Sequence, residues 1–304
     1  MQLVILAAGH GRRFGGLKQL APVGPNGEAI MDYTALAAQS CGFSGVVLVV
    51  RPEIEDEVVS HVRRRWPSEL AVDYARQPAV PGTAQAVLCT RPLISGPFGV
   101  ANADDLYGEA ALRLIVEHTG GPLAGADGAG LAAARSTMTP HLLVAYQLAR
   151  TVLSGATVTR GLCEVGPDHL LERVVEHKVH LHDDGTFDAT PLPGATAHEI
   201  GPTPERVLLS GRELVSMNLW GFDPRLFDEL HEAVDTFDPT TAARPELLLP
   251  DVVAQLVGTG RDQVRVVDTE NRCIGITHRE DIAIVRGEIA REVAHLGAVR
   301  AGRT

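Results

Sequence analysis

A glycine-rich segment near the N-terminus combines residue types that bind phosphate. The stretch LAAGHGRRFGGLK, residues 6–18, follows a short apolar run and contains four glycines, two arginines and one lysine. Gly9 and Gly11 allow a tight turn whose backbone N–H groups are open to phosphate oxygens. Arg13 can grip two oxygens at once and Lys18 adds a point charge, so these cations favour a nucleoside triphosphate.

The spacing of this segment differs from two well-known phosphate loops. The Walker pattern GxxxxGK[ST] is absent, and the glycines give GxGxxxG rather than the dinucleotide fingerprint GxGxxG. A dinucleotide-binding turn also has no need of cations in the same loop. An NAD(P)-dependent oxidoreductase, which would share the first strand and turn, stays an alternative, as does a nucleotide-binding sensor without catalytic activity.

Two adjacent carboxylates supply ligands for the metal ion that accompanies a triphosphate. Asp104 and Asp105 follow the apolar run FGVAN, and open α/β sheets bind ligands at the carboxyl ends of their strands. Mg²⁺ prefers carboxylate oxygens. If both aspartates belong to one strand, they point to opposite faces, so only one of them would face the nucleotide.

The elements that must position these residues alternate between strands and helices in the first half of the chain. Strands are predicted at 2–6, 45–50, 69–75 and 97–105, and helices at 31–42, 53–66 and 82–94. The strands are apolar throughout rather than at every second residue, which is typical of a parallel sheet covered on both faces. The predicted fold class is therefore α/β, a Rossmann-like, mostly parallel mixed sheet flanked by helices.

The second half predicts a smaller β extension on this sheet. Turn-separated strands are expected within 141–153 and 159–187, a strand and helix over 215–234, a helix at 247–258, a strand at 264–269 and a terminal helix at about 280–298. We expect one domain over residues 1–304, with halves at about 1–118 and 132–284. The Gly/Ala-rich stretch 119–131 is where a boundary could lie.

Composition excludes several classes of partner. The net charge of −11 disfavours nucleic acid and anionic membranes. No apolar run reaches the roughly 18 residues of a membrane span, and the first residues do not resemble a signal peptide, so a cytoplasmic protein is predicted. Four cysteines without a CxxC pair indicate reduced thiols rather than a zinc site or disulfides.

The order of the motifs resembles a known family, the sugar-nucleotide pyrophosphorylase-like nucleotidyltransferases (NTP transferases). Its LAAGxGxR loop, lysine and proline match Leu6 to Arg13, Lys18 and Pro22. Similar segments follow in RQPAVPGTAQAV, NADDLYG, RGLCEV, VVEHK and VSMNLWGF. The resemblance implies a nucleotide-diphospho-sugar transferase-like fold with a sugar-side β extension. It also implies a Mg²⁺-dependent reaction in which a sugar 1-phosphate attacks the α-phosphorus of a nucleoside triphosphate, giving an NDP-sugar and pyrophosphate.

The resemblance assigns roles to individual residues. The implied catalytic residues are Arg13, Lys18 and Asp104, and Asp104 is also the implied Mg²⁺ ligand, whereas Asp105 is expected to cap or brace the following turn or to meet a second ion. The implied nucleotide-binding residues are Leu6, Ala8, Gly9, Gly11, Arg12, Gln77, Gly82 and Thr83. The implied sugar-binding residues are Asn102, Gly161, Glu176, Lys178 and Asn218. Asp281 is the predicted second metal ligand, with Asn271 as another candidate. The base, the sugar and a homo-oligomeric state are left open.

Overall fold

Strands and helices alternate along the first half of the chain, as its apolar runs predict. The computed structural model describes residues 1–9, 11, 14–78, 82–119, 140–152, 157–192, 206–242, 244–276 and 279–301, the last ten of these as backbone alone. The strands are β1 (Gln2–Leu6), β2 (Gly45–Val50), β3 (Val72–Arg76), β4 (Phe98–Asn102), β5 (Asp105–Leu106), β6 (His141–Gln147), β7 (Thr157–Val165), β8 (Leu171–Leu181), β9 (Phe187–Pro191), β10 (Val207–Leu209), β11 (Leu214–Phe222), β12 (Val264–Thr269) and β13 (Ile274–Gly275). The helices are α1 (Ile30–Cys41), α2 (Glu55–Arg65), α3 (Thr83–Leu88), α4 (Glu109–His118), α5 (Leu226–Thr236), α6 (Leu249–Gly258) and α7 (Asp281–Ala301).

The main sheet has the strand order β3-β2-β1-β4-β11-β6-β12. Strands β1 to β4 are parallel, and β12 is parallel to β6. Strand β11 runs antiparallel to both of its neighbours, β4 and β6. The sheet is therefore mostly parallel and mixed, as predicted, and the carboxyl ends of β1 and β4 lie side by side with Leu6 opposite Asn102.

Helices cover both faces of this sheet. Alternate residues of the central strands belong to two different apolar clusters, with Val46 and Leu48 in one and Val47 and Val49 in the other. The first cluster includes residues of α1, α2 and α4, and the second includes residues of α3, α5 and α6. Every residue of β2 is buried for this reason, which explains its continuous apolar sequence.

A second group of strands branches from β11. Val215 and Ser216 of β11 pair with β7, and β8, β9 and β10 follow as an antiparallel ladder. In this ladder Gly161 of β7 lies opposite Glu176 of β8. The predicted β extension is therefore present, and it starts from the middle of the main sheet.

The structure differs from the predicted elements in two places near the site. The predicted helix 82–94 ends at Leu88, and a short 3-10 turn begins at Arg91 with Pro92 in its first positions, where proline lacks the N–H that a longer helix would need. The predicted strand 97–105 ends at Asn102, and Asp104 lies in a turn before β5. Most of the stretch 119–131 lies outside the described residues.

Two further expectations concern membranes and thiols. Across the part of the chain that the structure describes, no helix is both long enough and apolar enough to cross a membrane. The cysteines Cys41, Cys89, Cys163 and Cys273 are all free thiols.

Candidate active site

The glycine-rich loop forms a closed turn directly after β1. The backbone N–H groups of Phe14 and Gly15 both donate to the Gly11 carbonyl, at 3.0 and 2.9 Å. Gly11 has a φ of +57°, and a Cβ there would lie 2.4 Å from the Gly16 carbonyl oxygen, so the turn requires glycine. Gly9 is exposed, with open space around its α-carbon. Ligand atoms can therefore approach the backbone at Gly9.

Two residues of the predicted phosphate site, Arg12 and Arg13, lie outside the described residues. Leu6 and Ala8 are buried, with 8% and 7% exposure, and belong to the sheet core. Gln19, which sequence reasoning missed, donates through its Nε2 to the Ala7 carbonyl at 2.8 Å and is almost fully buried. Gln19 thereby fixes the loop against the end of β1.

Lys18 and Asp104, which are both predicted to belong to the catalytic site, are in direct contact. The Lys18 ammonium donates to the Asp104 carboxylate, and both side chains are partly buried. They meet because β1 and β4 are adjacent and parallel, so the loops that follow the two strands share one edge of the sheet. A lysine and a carboxylate are thus already paired where triphosphate and metal were predicted.

Asp105 is more deeply placed than its neighbour. It is 9% exposed and accepts a hydrogen bond from Asn102 Nδ2 at 2.8 Å. Burial and the negative charge of Asp104 raise the pKa of Asp105 to about 6. The prediction that both aspartates belong to one strand is wrong, because the Asn102 N–H donates to the Tyr107 hydroxyl at 2.9 Å as the chain turns.

This pair of carboxylates suits a magnesium ion. Two carboxylates in one partly buried site repel each other when both are ionised. A divalent cation bound to them would offset this repulsion and the free-energy cost of burying their charges. Asp281, the predicted second ligand, is the first residue of α7. The described residues contain no group of three or more His, Cys, Asp or Glu side chains that could hold a metal. Asp281 therefore does not form such a group with Asp104 and Asp105.

The segment 76–87, which contains the predicted nucleotide-binding residues Gln77, Gly82 and Thr83, is attached to the start of α6. Gln77 Nε2 donates to the Gly82 carbonyl at 2.9 Å. Gly82 has a φ of +125°, and a Cβ there would lie 2.2 Å from the Leu247 carbonyl oxygen. The Thr83 hydroxyl accepts from the Leu249 N–H at 2.8 Å. Gly82 and Thr83 therefore also stabilise the packing of this segment against residues 247–249, whether or not they contact a nucleotide base.

A polar cavity of about 220 Å³ lies next to the aspartate pair. Strands β4, β7, β8 and β11 and the starts of α3 and α6 supply its walls. It brings together five predicted residues, namely Thr83, Asn102, Gly161, Glu176 and Asn218. Its other lining residues are Asp105, Thr159, Arg160, Ser216, Met217, Leu248 and Pro250.

Local backbone features shape this cavity. Asn218 has a φ of +58° and lies where the β11 register with β6 shifts between Ser216 and Trp220. Such a conformation is uncommon for a residue other than glycine and often marks a functional site. Gly161 leaves room for its neighbours, since a Cβ there would be 3.3 Å from both Glu176 Oε1 and the Ser216 Cβ.

Charges inside the cavity are unevenly compensated. Burial and the nearby Asp251 carboxylate raise the pKa of Glu176 to about 7, although Arg244 and Arg160 act in the opposite direction. Arg160 is anchored elsewhere: its Nε donates to the Thr151 hydroxyl at 3.0 Å and its Nη1 to the Thr159 carbonyl at 2.7 Å. A ligand hydroxyl that donates to Glu176 would stabilise the charged form of this carboxylate.

The remaining predicted sugar-binding residue and the two candidates for a second metal ligand lie outside this cavity lining. Lys178 is exposed on β8, opposite Thr159 of β7. Asn271 lies beside Gly108, where an added Cβ would be 2.3 Å from Asn271 Nδ2, and Asp281 begins α7. The predicted roles of these residues stay predictions.

Arg160 and Arg244 are lining or neighbouring residues that sequence reasoning missed. Arg160 immediately precedes the predicted residue Gly161, and this position next to a predicted residue is the one sequence feature that could have pointed to Arg160. Arg244 donates to both oxygens of Asp251, at 2.6 and 2.7 Å, and faces Glu176 from the segment before α6. The sequence separation between these two residues and Glu176 hides their proximity.

The N-terminal part of the chain matches a known family. Residues 3–146, from β1 to β6, match the MobA-like NTP transferase domain. They belong to that family. This NTP transferase domain contains the glycine-rich loop, the segment 76–87 and the aspartate pair, and the family predicted from the sequence is confirmed. The strands β7 and β8 of the cavity follow it in the chain. A comparison with curated proteins gives no match.

Solved structures share the fold over nearly the whole chain. The inositol-1-phosphate CTP transferase from T. maritima is 15% identical, with a TM-score of 0.59 and 95% of each chain covered. A Bacillus anthracis protein assigned as a glucose-1-phosphate thymidylyltransferase, in complex with a sucrose, is 13% identical, with a TM-score of 0.59 and 94% of each chain covered. At these identities the likeness establishes the fold, and the predicted fold class is confirmed.

Proposed function

We propose that this NTP transferase joins a nucleoside triphosphate to a sugar 1-phosphate, or a similar phosphorylated polyol, and releases pyrophosphate. One observation carries the proposal: the polar cavity opens beside Asp105, immediately next to the Lys18–Asp104 pair. A triphosphate at the glycine-rich loop and an acceptor in the cavity would therefore adjoin at one edge of the sheet. The two solved structures with the same fold are described as acting on inositol 1-phosphate and glucose 1-phosphate.

The reaction needs little from the protein beyond positioning and charge. The phosphate of the acceptor is an ionised nucleophile, so its attack on the α-phosphorus requires no general base. Lys18 would exchange Asp104 for phosphate oxygens and stabilise the charge that develops at the reacting phosphorus. Asp104 and Asp105 are the residues that would hold Mg²⁺, which neutralises triphosphate charge when bound.

The acceptor is proposed to be rich in hydroxyl groups. The cavity offers the carboxylates of Asp105 and Glu176 and the side-chain amides of Asn102 and Asn218, all of which can accept hydrogen bonds from hydroxyls. The ring of a sugar or cyclitol presents such donors in several directions. An acceptor that lacks hydroxyls would make fewer hydrogen bonds with these groups, so the cavity favours polyol phosphates.

A substrate screen tests the proposal. Pyrophosphate release is measured for ATP, GTP, CTP, UTP and dTTP, each against a panel of sugar 1-phosphates and inositol 1-phosphate, with Mg²⁺ present. We expect release that requires both substrates and is lost in Lys18→Ala. Nucleotide binding without release for any pair would favour a sensor, and an acceptor-dependent absorbance change of NAD(P)H would favour the oxidoreductase. Either result would overturn the proposal.

A further inference from the structure

A basic side chain near the C-terminus is attached to the glycine-rich loop. Arg279, two residues before α7, donates through Nε to the Phe14 carbonyl at 3.0 Å and through Nη2 to the Gly15 carbonyl at 3.3 Å. Its guanidinium also lies over the Phe14 ring, 5.2 Å from the ring centre. Two hydrogen bonds from one side chain thus fix two consecutive carbonyls of the loop, and the contact with the ring adds a third point of attachment.

These contacts determine where the next amide points. In a trans peptide the C=O and N–H groups point in opposite directions. Because Arg279 holds the Gly15 carbonyl, the N–H of Gly16 points away from Arg279. This N–H donates to no other described residue, whereas the Gly15 N–H donates to Gly11 and the Lys18 N–H to the Gly16 carbonyl. This backbone donor of the glycine-rich loop thus has no acceptor among the described residues, and Gly16 is exposed.

The same C-terminal region also contacts the aspartate pair. The Ile276 N–H donates to the Asp104 carbonyl at 3.0 Å, and Gly275 pairs with Asp105 across β13 and β5. Phe14, Ile276 and residues of α7 share one apolar cluster. Residues between 274 and 289 therefore contact the glycine-rich loop as well as Asp104 and Asp105.

We propose that Arg279 is a positioning residue that turns the Gly16 N–H toward the phosphates of the nucleotide. This inference rests on the proposed function, because it takes the loop to be the phosphate site. Arg279 itself does not touch the phosphates: it acts by holding the carbonyls of Phe14 and Gly15. The planar guanidinium of Arg279, with donors that reach both carbonyls, therefore matters in addition to its positive charge.

The experiment compares four forms of the full chain: wild type, Arg279→Ala, Arg279→Lys and Arg286→Ala. Arg286 is the matched control, because it is also an exposed arginine of this region and donates to a backbone carbonyl, that of Pro22, at 2.9 Å. Binding of inorganic tripolyphosphate is measured by calorimetry with Mg²⁺ present. Hydrogen exchange of the amides at 14–18 is measured on the same samples without ligand.

We expect Arg279→Ala to weaken tripolyphosphate binding about tenfold and to speed exchange at 14–18. Arg286→Ala should change the affinity less than twofold. Arg279→Lys keeps the charge but lacks the planar fork, so it should recover only part of the affinity. Where nucleotides are turned over, KM for the triphosphate should rise in Arg279→Ala more than kcat falls.

Three results would overturn the inference: unchanged affinity and exchange in Arg279→Ala, full recovery in Arg279→Lys, or an equal loss in Arg286→Ala. Failure of the proposed function would look different. If the wild type bound no tripolyphosphate and released no pyrophosphate, the loop would not be a phosphate site. The exchange data would still decide whether Arg279 holds the loop, because they require no ligand.

Discussion

Replacing Glu176 by glutamine should stabilise the protein at neutral and higher pH while weakening acceptor binding. Glu176 lines the cavity, and burial with the neighbouring Asp251 charge raises its pKa from 4.5 to about 7. The folded protein therefore holds a proton on Glu176 that the unfolded chain has already lost. For this reason the stability of the wild type must fall as the pH rises from about 4.5 to about 7.

The size of the effect follows from the shift in pKa. Each unit corresponds to about 1.4 kcal/mol, so the change from 4.5 to about 7 corresponds to at most about 3.5 kcal/mol. The cavity opens to solvent, which screens the charge, so we expect about 2 kcal/mol rather than the full value. Glutamine has nearly the same shape and no charge at any pH. The difference in unfolding free energy between Glu176→Gln and wild type should therefore grow by this amount across that range.

The assay is urea unfolding of both proteins at pH 4, 5, 6, 7 and 8. Glu172→Gln is the matched control, because Glu172 is an exposed residue of the same strand, and its difference from wild type should stay within about 0.5 kcal/mol at every pH. A difference for Glu176→Gln that does not change with pH would refute the reasoning. In kinetics, the acceptor KM should rise about tenfold in Glu176→Gln, with the nucleotide KM unchanged.

Three further predictions concern the phosphate loop and the aspartate pair. Lys18→Ala should lower kcat about 10²- to 10⁴-fold with an unchanged circular dichroism spectrum, because it removes charge at the reacting phosphorus; near-normal turnover would contradict its role. Asp104→Asn should raise the Mg²⁺ concentration for half-maximal turnover more than Asp105→Asn does, and the reverse order in a Mg²⁺ titration would make Asp105 the main ligand of the two. Gly275→Ala places a Cβ 2.1 Å from Asp105 Oδ1 and should lower kcat/KM at least about tenfold. Gly287→Ala, where nothing lies within 4 Å, is its control, and equal activity of the two variants would refute the assigned contact.

The sequence predicts the frame of the site well, because its signals there are local. Continuous apolar runs indicate buried parallel strands, and the loops after two neighbouring parallel strands must meet at one edge. The approach of Lys18 to Asp104 follows from this geometry. Glu176 and Gly161 also converge as the family resemblance implies, as cross-strand neighbours of one ladder.

What could not be predicted depends on contacts between distant segments. The turn at Asp104 arises because the Tyr107 hydroxyl accepts the Asn102 N–H and donates in turn to the Met217 carbonyl at 2.8 Å, a partner on β11. The sequence pattern of residues 97–105 gives no indication of that contact. Arg244 and Arg279 likewise reach the site from segments far along the chain, and their surroundings exist only once the sheet has formed.

The central claim is that an acceptor phosphate oxygen attacks the α-phosphorus of a nucleoside triphosphate. An active pair of substrates from the screen tests it directly when the acceptor carries ¹⁸O in its non-bridging phosphate oxygens and the products are analysed by ³¹P NMR and mass spectrometry. The account predicts that all of the label is found in the product that joins the nucleotide to the acceptor, with one ¹⁸O atom in the new P–O–P bridge. The pyrophosphate should be unlabelled. A nucleoside diphosphate together with a labelled acceptor diphosphate would show attack at the γ-phosphorus and contradict the account.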